Sequence, residues 1–407
     1  MKNPLLVLMG VGLQVCYLSI PTGLDALPMT LGILMLASLF YMLAVYRRGR
    51  AVVVLVFALT HRASMWTRAP ELSDDVMRYR WEAQVQESGG NPYLARPSDP
   101  EWAPLFDKRI PTPDSRAGYG PALELVQRMA YRLASAITTD GQTQATWMKL
   151  PAVLGDLGIL AILARHPMFI VYAWNPLVVS EFAWNGHNDA LALLFVVAAW
   201  RRGHFGALGA AVALKWWPAI LAPALIRRTR WWRAVAIPAW VAVAAIPFIP
   251  SNPQDLVENA QYMSGYVGGW RNNDSLFGLV LWAFGGSAYH AKYAAFAMLA
   301  ALALWFARWP LERAWLATIV ALLALSANCH PWYLTWLVPF LVEIPCAPLL
   351  LWTGLAPLSY RVLIDWRLLG EWNGSTPERW FVHAPVAAAA TLILLSRWIS
   401  KRSSPGA

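Results

Sequence analysis

The 407-residue chain should fold as an all-α polytopic membrane protein, a bundle of about 12–14 helices, and three features of the sequence say so. Hydrophobic residues make up 58% of it and charged residues only 14%, whereas soluble domains carry about 25% charged residues. The apolar residues come in runs, many close to the roughly 20 residues that a bilayer-crossing helix needs. The charges fall in short clusters between these runs and form no water-facing strips.

Taken in order, the runs lie near 4–20, 24–46, 51–67, 147–164, 167–184, 188–200, 206–215, 217–226, 234–249, 290–307, 314–328, 332–344, 346–362 and 380–399. The first has the length of a signal peptide, but it lacks a small-residue cleavage site and another apolar run follows at once. It reads as a retained helix. Several later runs are shorter than about 17 residues, which suits broken or tilted helices surrounded by protein or a polar cavity. Chain 1–407 reads as one transmembrane domain.

The net charge of +10 does not mark a nucleic-acid-binding surface, because no basic stripe interleaves with aromatics. The basic runs instead alternate with helices. They are Arg47-Arg48-Gly49-Arg50, Arg201-Arg202, Arg227-Arg228 with Arg230 and Arg233, Arg308 to Arg313, and Lys401-Arg402. The positive-inside rule puts them, and both termini, in the cytoplasm. Arg361, Arg367 and Arg379 then fall outside, balanced locally by Asp365, Glu371 and Glu378. Of the 24 tryptophans, Trp66, Trp147, Trp200, Trp231, Trp232, Trp309, Trp332 and Trp398 sit at segment ends, as interfacial rings do.

Residues 68–146 form a long extracytoplasmic loop. Its middle holds Pro92, Pro97, Pro100, Pro104, Pro111 and Pro113, which block long helices. Two flanking pieces, near 75–88 and 121–136, read as amphipathic helices lying against the membrane. A loop of this length usually carries function. The chain has no internal repeat, no phosphate-binding glycine loop and no soluble nucleotide-binding domain. Cys16, Cys329 and Cys346 are isolated in apolar surroundings and read as packing residues, not as a disulfide or zinc set. The composition and short loops suit a bacterial inner membrane.

Five polar clusters share the side away from the basic runs: Ser73-Asp74-Asp75, Asn185 to Asp189, Lys215, Arg271 to Asp274, and Asn328 to His330. Ionisable groups at membrane depth are costly and point to function. Asp74 and Asp75 are adjacent carboxylates near a dry wall, so either could be a general base with a raised pKa, Asp75 being preferred. The alternative is that Ser73 or Asp74 merely caps a helix. His187, Asn188 and Asp189 could form a second acidic or acceptor-orienting site, or simply turn the chain. Lys149, Lys215, Arg271 and His330 could together hold a phosphate, where a snorkelling role is the alternative for each. Asp156, inside an apolar run, needs a partner, and Lys149 is a candidate. Paired carboxylates leave room for a divalent metal, though nothing in the sequence requires one.

At these residues the chain resembles the GT-C superfamily of membrane glycosyltransferases. It is most similar to bacterial polyprenol-phosphate-mannose-dependent mannosyltransferases and to the GPI mannosyltransferase I catalytic subunit. The matching stretches are Leu72-Ser-Asp-Asp-Val-Met-Arg-Tyr79, Gly90-Asn-Pro-Tyr93, Tyr119-Gly-Pro121, Lys149 to Asp156 and Trp174-Asn-Pro176. They continue with Gly186-His-Asn-Asp189, Lys215-Trp-Trp-Pro218, Arg271-Asn-Asn-Asp-Ser-Leu-Phe277 and His330-Pro-Trp-Tyr333. The series spans roughly residues 60–345. The chain departs from the pattern at Gly120-Pro121, where two prolines are common, and at Glu82-Ala83, where Asp-Gly is common.

The resemblance implies a GT-C-like fold and an inverting transfer of a hexose, mannose first among candidates. The donor would be a polyprenyl-phosphate sugar and the acceptor a glycan or glycolipid. The base falls on Asp75 or Asp74 and a second acidic position on Asp189. Substrate contacts fall on His187, Asn188, Lys149, Lys215, Arg271, Asn273, His330 and Tyr333. Two other classes compete: a secondary transporter, which would show a repeat and midplane ions, and a non-catalytic lipid-binding protein, which would tolerate Asp75→Asn.

Overall fold

The computed structural model describes residues 3–47, 49–255, 257–258, 271–374 and 376–402. Arg48 of the first basic run lies outside them, and nothing is described of the side chains of Arg367, Lys401 and Arg402. Among the described residues all regular elements are helical, and the β-type pairing is one isolated parallel bridge between Asn272 and Asn328.

Helices α1 (Pro4–Ser19), α2 (Leu27–Val45) and α3 (Ala51–Trp66) pack on one another. The long loop carries α4 (Asp75–Glu87), α5 (Pro121–Ile137) and α6 (Gly141–Met148). There follow α7 (Leu150–Leu163), α8 (Asp189–Arg202), α9 (Phe205–Leu214), α10 (Ala236–Ala245), α11 (Leu276–Ala283), α12 (Ala288–Phe306), α13 (Leu311–Leu325), α14 (Ala347–Leu355), α15 (Val362–Leu369) and α16 (Trp380–Arg402).

Among the described residues five stretches are long and apolar enough to cross a membrane: Leu27–Val45, Gly141–Leu163, Trp231–Phe248, Ala347–Trp366 and Pro377–Trp398. Apolar side chains face outward on them. Met29, Leu36, Leu39 and Leu43 are exposed on α2, and Leu392, Leu394 and Leu395 on α16. Such faces suit lipid and would associate in water.

Several expected single helices are broken. Residues 167–184 divide into Ile170–Ala173, Pro176–Val178 and a π turn at Val179–Trp184. Residues 217–226 and 332–344 each begin as a tight 3₁₀ turn before becoming α-helical. The cause is proline, which lacks an N–H and clashes with the preceding turn. Pro176, Pro218, Pro331, Pro339, Pro348 and Pro357 all sit at such breaks, and all are buried. Protein therefore surrounds the freed backbone groups, the condition under which breaks are tolerated in a bilayer. Helix α11 falls where no apolar run was expected, because its eight residues are too few to register as a span.

Helices form at both expected places, as Asp75–Glu87 and Pro121–Ile137, but only the second has an amphipathic pattern; the first is buried on most of its sides and presents no apolar stripe. They carry their own small core of Val76, Tyr79, Trp81, Val85 and Ala130 beside the main one. Short links reverse the chain between α8 and α9 and between α12 and α13. Two of the basic segments contact neighbouring links: the Arg228 guanidinium donates to the Ala307 carbonyl at 3.1 Å, and Glu343 receives both Arg201 and His166.

Asp156 does not pair with Lys149. It is fully buried and receives a two-pronged bond from Arg62, at 2.6 and 3.0 Å, and the Tyr172 hydroxyl at 2.7 Å. Arg62 also donates to the Ala173 carbonyl at 2.8 Å, so the pair ties α3 to α7 and to the broken stretch. Lys149 is buried elsewhere, donating to the carbonyls of Trp66 and Arg68. These are the unmet acceptors at the C-terminus of α3, where a cation also suits the helix dipole.

Candidate active site

The loop helices and the broken segments surround a cavity of about 1350 Å³. Three chain regions build its polar wall and the buried polar layer behind it. At the first, Leu72 to Asp75 leads into α4. The Ser73 hydroxyl accepts from the Asp75 N–H at 3.3 Å and so holds the turn that starts the helix. Both Asp74 and Asp75 line the cavity. Burial pushes the Asp75 carboxyl up to about 6. Lys215 opposes that shift, while the like charges of Asp189, Asp74 and Glu82 add to it. Two turns on, Glu82 also lines the cavity and is held by Arg78 at 2.7 Å.

The second region runs from the π turn to α8. The wide turn at Val179–Trp184 puts Glu181 under the loop, and the His187 N–H returns to the Glu181 carbonyl at 2.9 Å. Gly186 makes this possible. Its φ is +73°, and a Cβ there would stand 2.5 Å from the Lys149 side chain. His187 is fully buried between two carboxylates, with Nδ1 3.6 Å from Asp75 Oδ2 and Nε2 3.3 Å from Glu181 Oε2. Asp189 opens α8, where a carboxylate suits the helix dipole.

The third region brings Lys215, at the end of α9, and the segment after α13. Lys215 donates to Asp189 at 2.6 Å and stands 5.0 Å from the Tyr119 ring. Asp189 also receives the Trp336 indole N–H at 2.9 Å. Trp332 lies flat between His187 and His330, with centroid distances of 4.1 and 4.3 Å. Trp217 stacks on Trp336 at 4.2 Å. With the Asn272 amide donating, His330 Nδ1 accepts at 2.9 Å, which leaves its proton on Nε2.

The loop residues Lys108, Arg109, Asp114 and Arg116 add further charge to the lining, and one part of the wall is mostly apolar, with Lys292 at its edge. Phe277, Ala295, Phe296, Leu299, Leu322 and Leu325 contribute from α11, α12 and α13.

Of the expected site residues, Asp74, Asp75, Lys215, His330 and Tyr333 stand on the cavity wall. His187, Asn188 and Asp189 are fully buried immediately behind it. Three others stand apart. Lys149 is consumed by the end of α3. Arg271 donates to the buried Asp274 at 2.8 Å. Asn273 adopts φ +50° and pins its loop through the carbonyls of Cys329 and Gly374. Arg271 thus closes a local pair within its own loop, while Asn273 joins that loop to two distant chain segments. Trp332 is not an interfacial anchor but the middle of a three-ring stack.

Glu181, Tyr360, Trp336 and the Arg78–Glu82 pair were not singled out from the sequence. For Glu181 a signal was present, an acid within an apolar run. Tyr360 donates to Glu181 at 2.8 Å across 179 residues of chain, and no local pattern announces such a contact. Among the described residues no cluster of three or more His, Cys, Asp or Glu side chains could hold a metal. Comparison of the chain with family models, curated proteins and solved structures finds no match.

Proposed function

We propose that the protein is an inverting glycosyltransferase that moves a hexose, mannose first among candidates, from a polyprenyl-phosphate donor to a glycan or glycolipid acceptor. On this reading the fold is GT-C-like and the site faces the extracytoplasmic side of a bacterial inner membrane. One observation carries the reading. A single cavity joins a wall of carboxylates and cations to a wall of apolar side chains on α11, α12 and α13. Its occupant would have a polar, charged head and an extended apolar tail, as a lipid-linked sugar phosphate does.

In the reaction an acceptor hydroxyl attacks the anomeric carbon, and the bond from that carbon to the phosphate oxygen breaks. Asp75 takes the hydroxyl proton, a role suited to a carboxylate with its pKa pushed toward working pH. Lys215 and His330 meet the departing phosphate, where negative charge grows. Lys215 has three N–H donors, and Asp189 fixes the ammonium through one of them. The stacked aromatics offer flat faces to sugar C–H groups.

The test is transfer or hydrolysis of radiolabelled polyprenyl-phosphate mannose by purified protein in lipid, with Asp74→Asn and Asp75→Asn beside the wild type. Turnover lost in one variant names the base. Absence of turnover with mannose and with a panel of other lipid-linked sugars would sink the proposal.

A further inference from the structure

Two basic links hold a group of cations that the proposed reaction does not use. The link before α10 carries Arg227, Arg228, Arg230 and Arg233 and no acid. The link after α12 carries Arg308 and Arg313, with Glu312 between them. Arg228 joins the two links. Its guanidinium donates to the carbonyls of Ala224 and Ala307, and Ala307 directly precedes Arg308. Both carbonyls are acceptors left open at helix ends, so Arg228 is consumed as a strap. The other four differ. Arg227, Arg230, Arg233 and Arg308 are exposed, and among the described residues none has an ion-pair partner. None of them lines the cavity.

Aromatic rings stand beside these cations. Trp231 and Trp232 are exposed, and the Arg233 guanidinium lies 5.8 Å from the centre of the Trp232 ring. Trp309 follows Arg308 and meets the exposed Trp305 edge-on. Beyond the rings the outward surface turns apolar. On one side it runs through Val235, Trp240 and Val243 of the α10 stretch, and on the other through Leu304 and Phe296 of α12. Trp231–Phe248 is one of the two least buried of the membrane-crossing stretches, with 11% of it inside the protein.

We infer that this surface is a binding site for an anionic phospholipid. The four guanidinium groups take the phosphate, for which their paired N–H donors are suited. The indoles lie at headgroup depth, and the acyl chains lie along α10 and α12. The bare apolar wall below the cations is what favours a lipid over a soluble anion, which would leave that wall unused. The surface and the cavity share no residue, so lipid binding stands or falls apart from glycosyl transfer.

Native mass spectrometry of the full-length protein in detergent tests this, with titration of phosphatidylglycerol, phosphatidylcholine or soluble glycerol phosphate. Wild type should bind its first phosphatidylglycerol at least about tenfold more tightly than phosphatidylcholine or glycerol phosphate. Each cation beside an anionic headgroup is worth about fivefold in affinity. Arg230→Gln and Arg308→Gln should therefore each weaken phosphatidylglycerol binding about fivefold, and together about 25-fold, with phosphatidylcholine unaffected. Arg47→Gln, in a different basic run, should leave the first phosphatidylglycerol in place. Equal affinity for the two lipids would overturn the inference, as would glycerol phosphate binding as tightly as phosphatidylglycerol. So would an unchanged affinity in the double variant or, if that variant fails to fold, in both single ones.

Discussion

Asp156 and Asp75 are both acids packed against the bundle, about a fifth of the chain apart, and their surroundings differ in kind. Asp156 is sealed: the Arg62 guanidinium grips both oxygens, Tyr172 adds a third bond, and nothing of the group reaches the surface. Asp75 opens onto a cavity, its side chain 21% exposed, and the nearest cation-forming ring stands 3.6 Å away. A closed network holds helices together, whereas an open one keeps a charge available. The contrast explains why burial alone identifies no site. What separates the two is whether every lone pair already has a donor.

The largest effect should come from breaking the closed network. Asp156→Ala leaves the Arg62 charge buried and unpaired, which costs about 3–5 kcal/mol. Thermal unfolding in detergent should show it as a much lower midpoint or loss of folded protein. A midpoint unchanged from wild type would mean that the two acids are not different in kind. Asp75→Asn should do the reverse: folding close to wild type, and transfer reduced about 10²–10⁴-fold if Asp75 is the base. A variant that unfolds early while retaining its rate per folded molecule would place Asp75 with Asp156.

Lys149→Met tests a smaller version of the same distinction. The ammonium meets two carbonyls at the end of α3, so its removal should cost about 1.5–3 kcal/mol of stability, typical of bonds to a charged group. The KM for a lipid-linked donor should stay within about twofold. A tenfold rise in KM without loss of stability would return Lys149 to the phosphate site.

The same contrast governs how much could be read from the sequence. The membrane class and the two loop helices were legible because they are local: apolar runs, and the amphipathic pattern of α5. The convergence of Asp75, His187, Lys215 and His330 was legible as chemistry on one side of a bundle. Partner choice was not. Asp156 was paired with the nearest cation in sequence, Lys149, when its partner Arg62 is 94 residues away. The break at Pro331 was visible as the short run 332–344, whereas residues 167–184 read as one full-length run with no sign of the break at Pro176. That the π turn after Pro176 would carry Glu181 to His187 depends on packing that no window of sequence contains.

The last test uses pH, and its sign is fixed by burial. The Asp75 carboxyl is raised from 3.8 to about 6 in the folded protein, so between those values the fold holds a proton that the unfolded chain has released. Stability from this group is full below the unfolded value and is lost as pH rises through about 6. The slope can reach only one proton's worth, about 1.4 kcal/mol per pH unit. Activity runs the opposite way, because the base must be ionised: the rate should climb with pH and level off above about 6. Asp75→Asn should flatten the contribution to stability, and Asp156→Asn should leave it in place. A rate that falls as pH rises through 6 would mean that Asp75 acts as an acid in the transfer and not as its base.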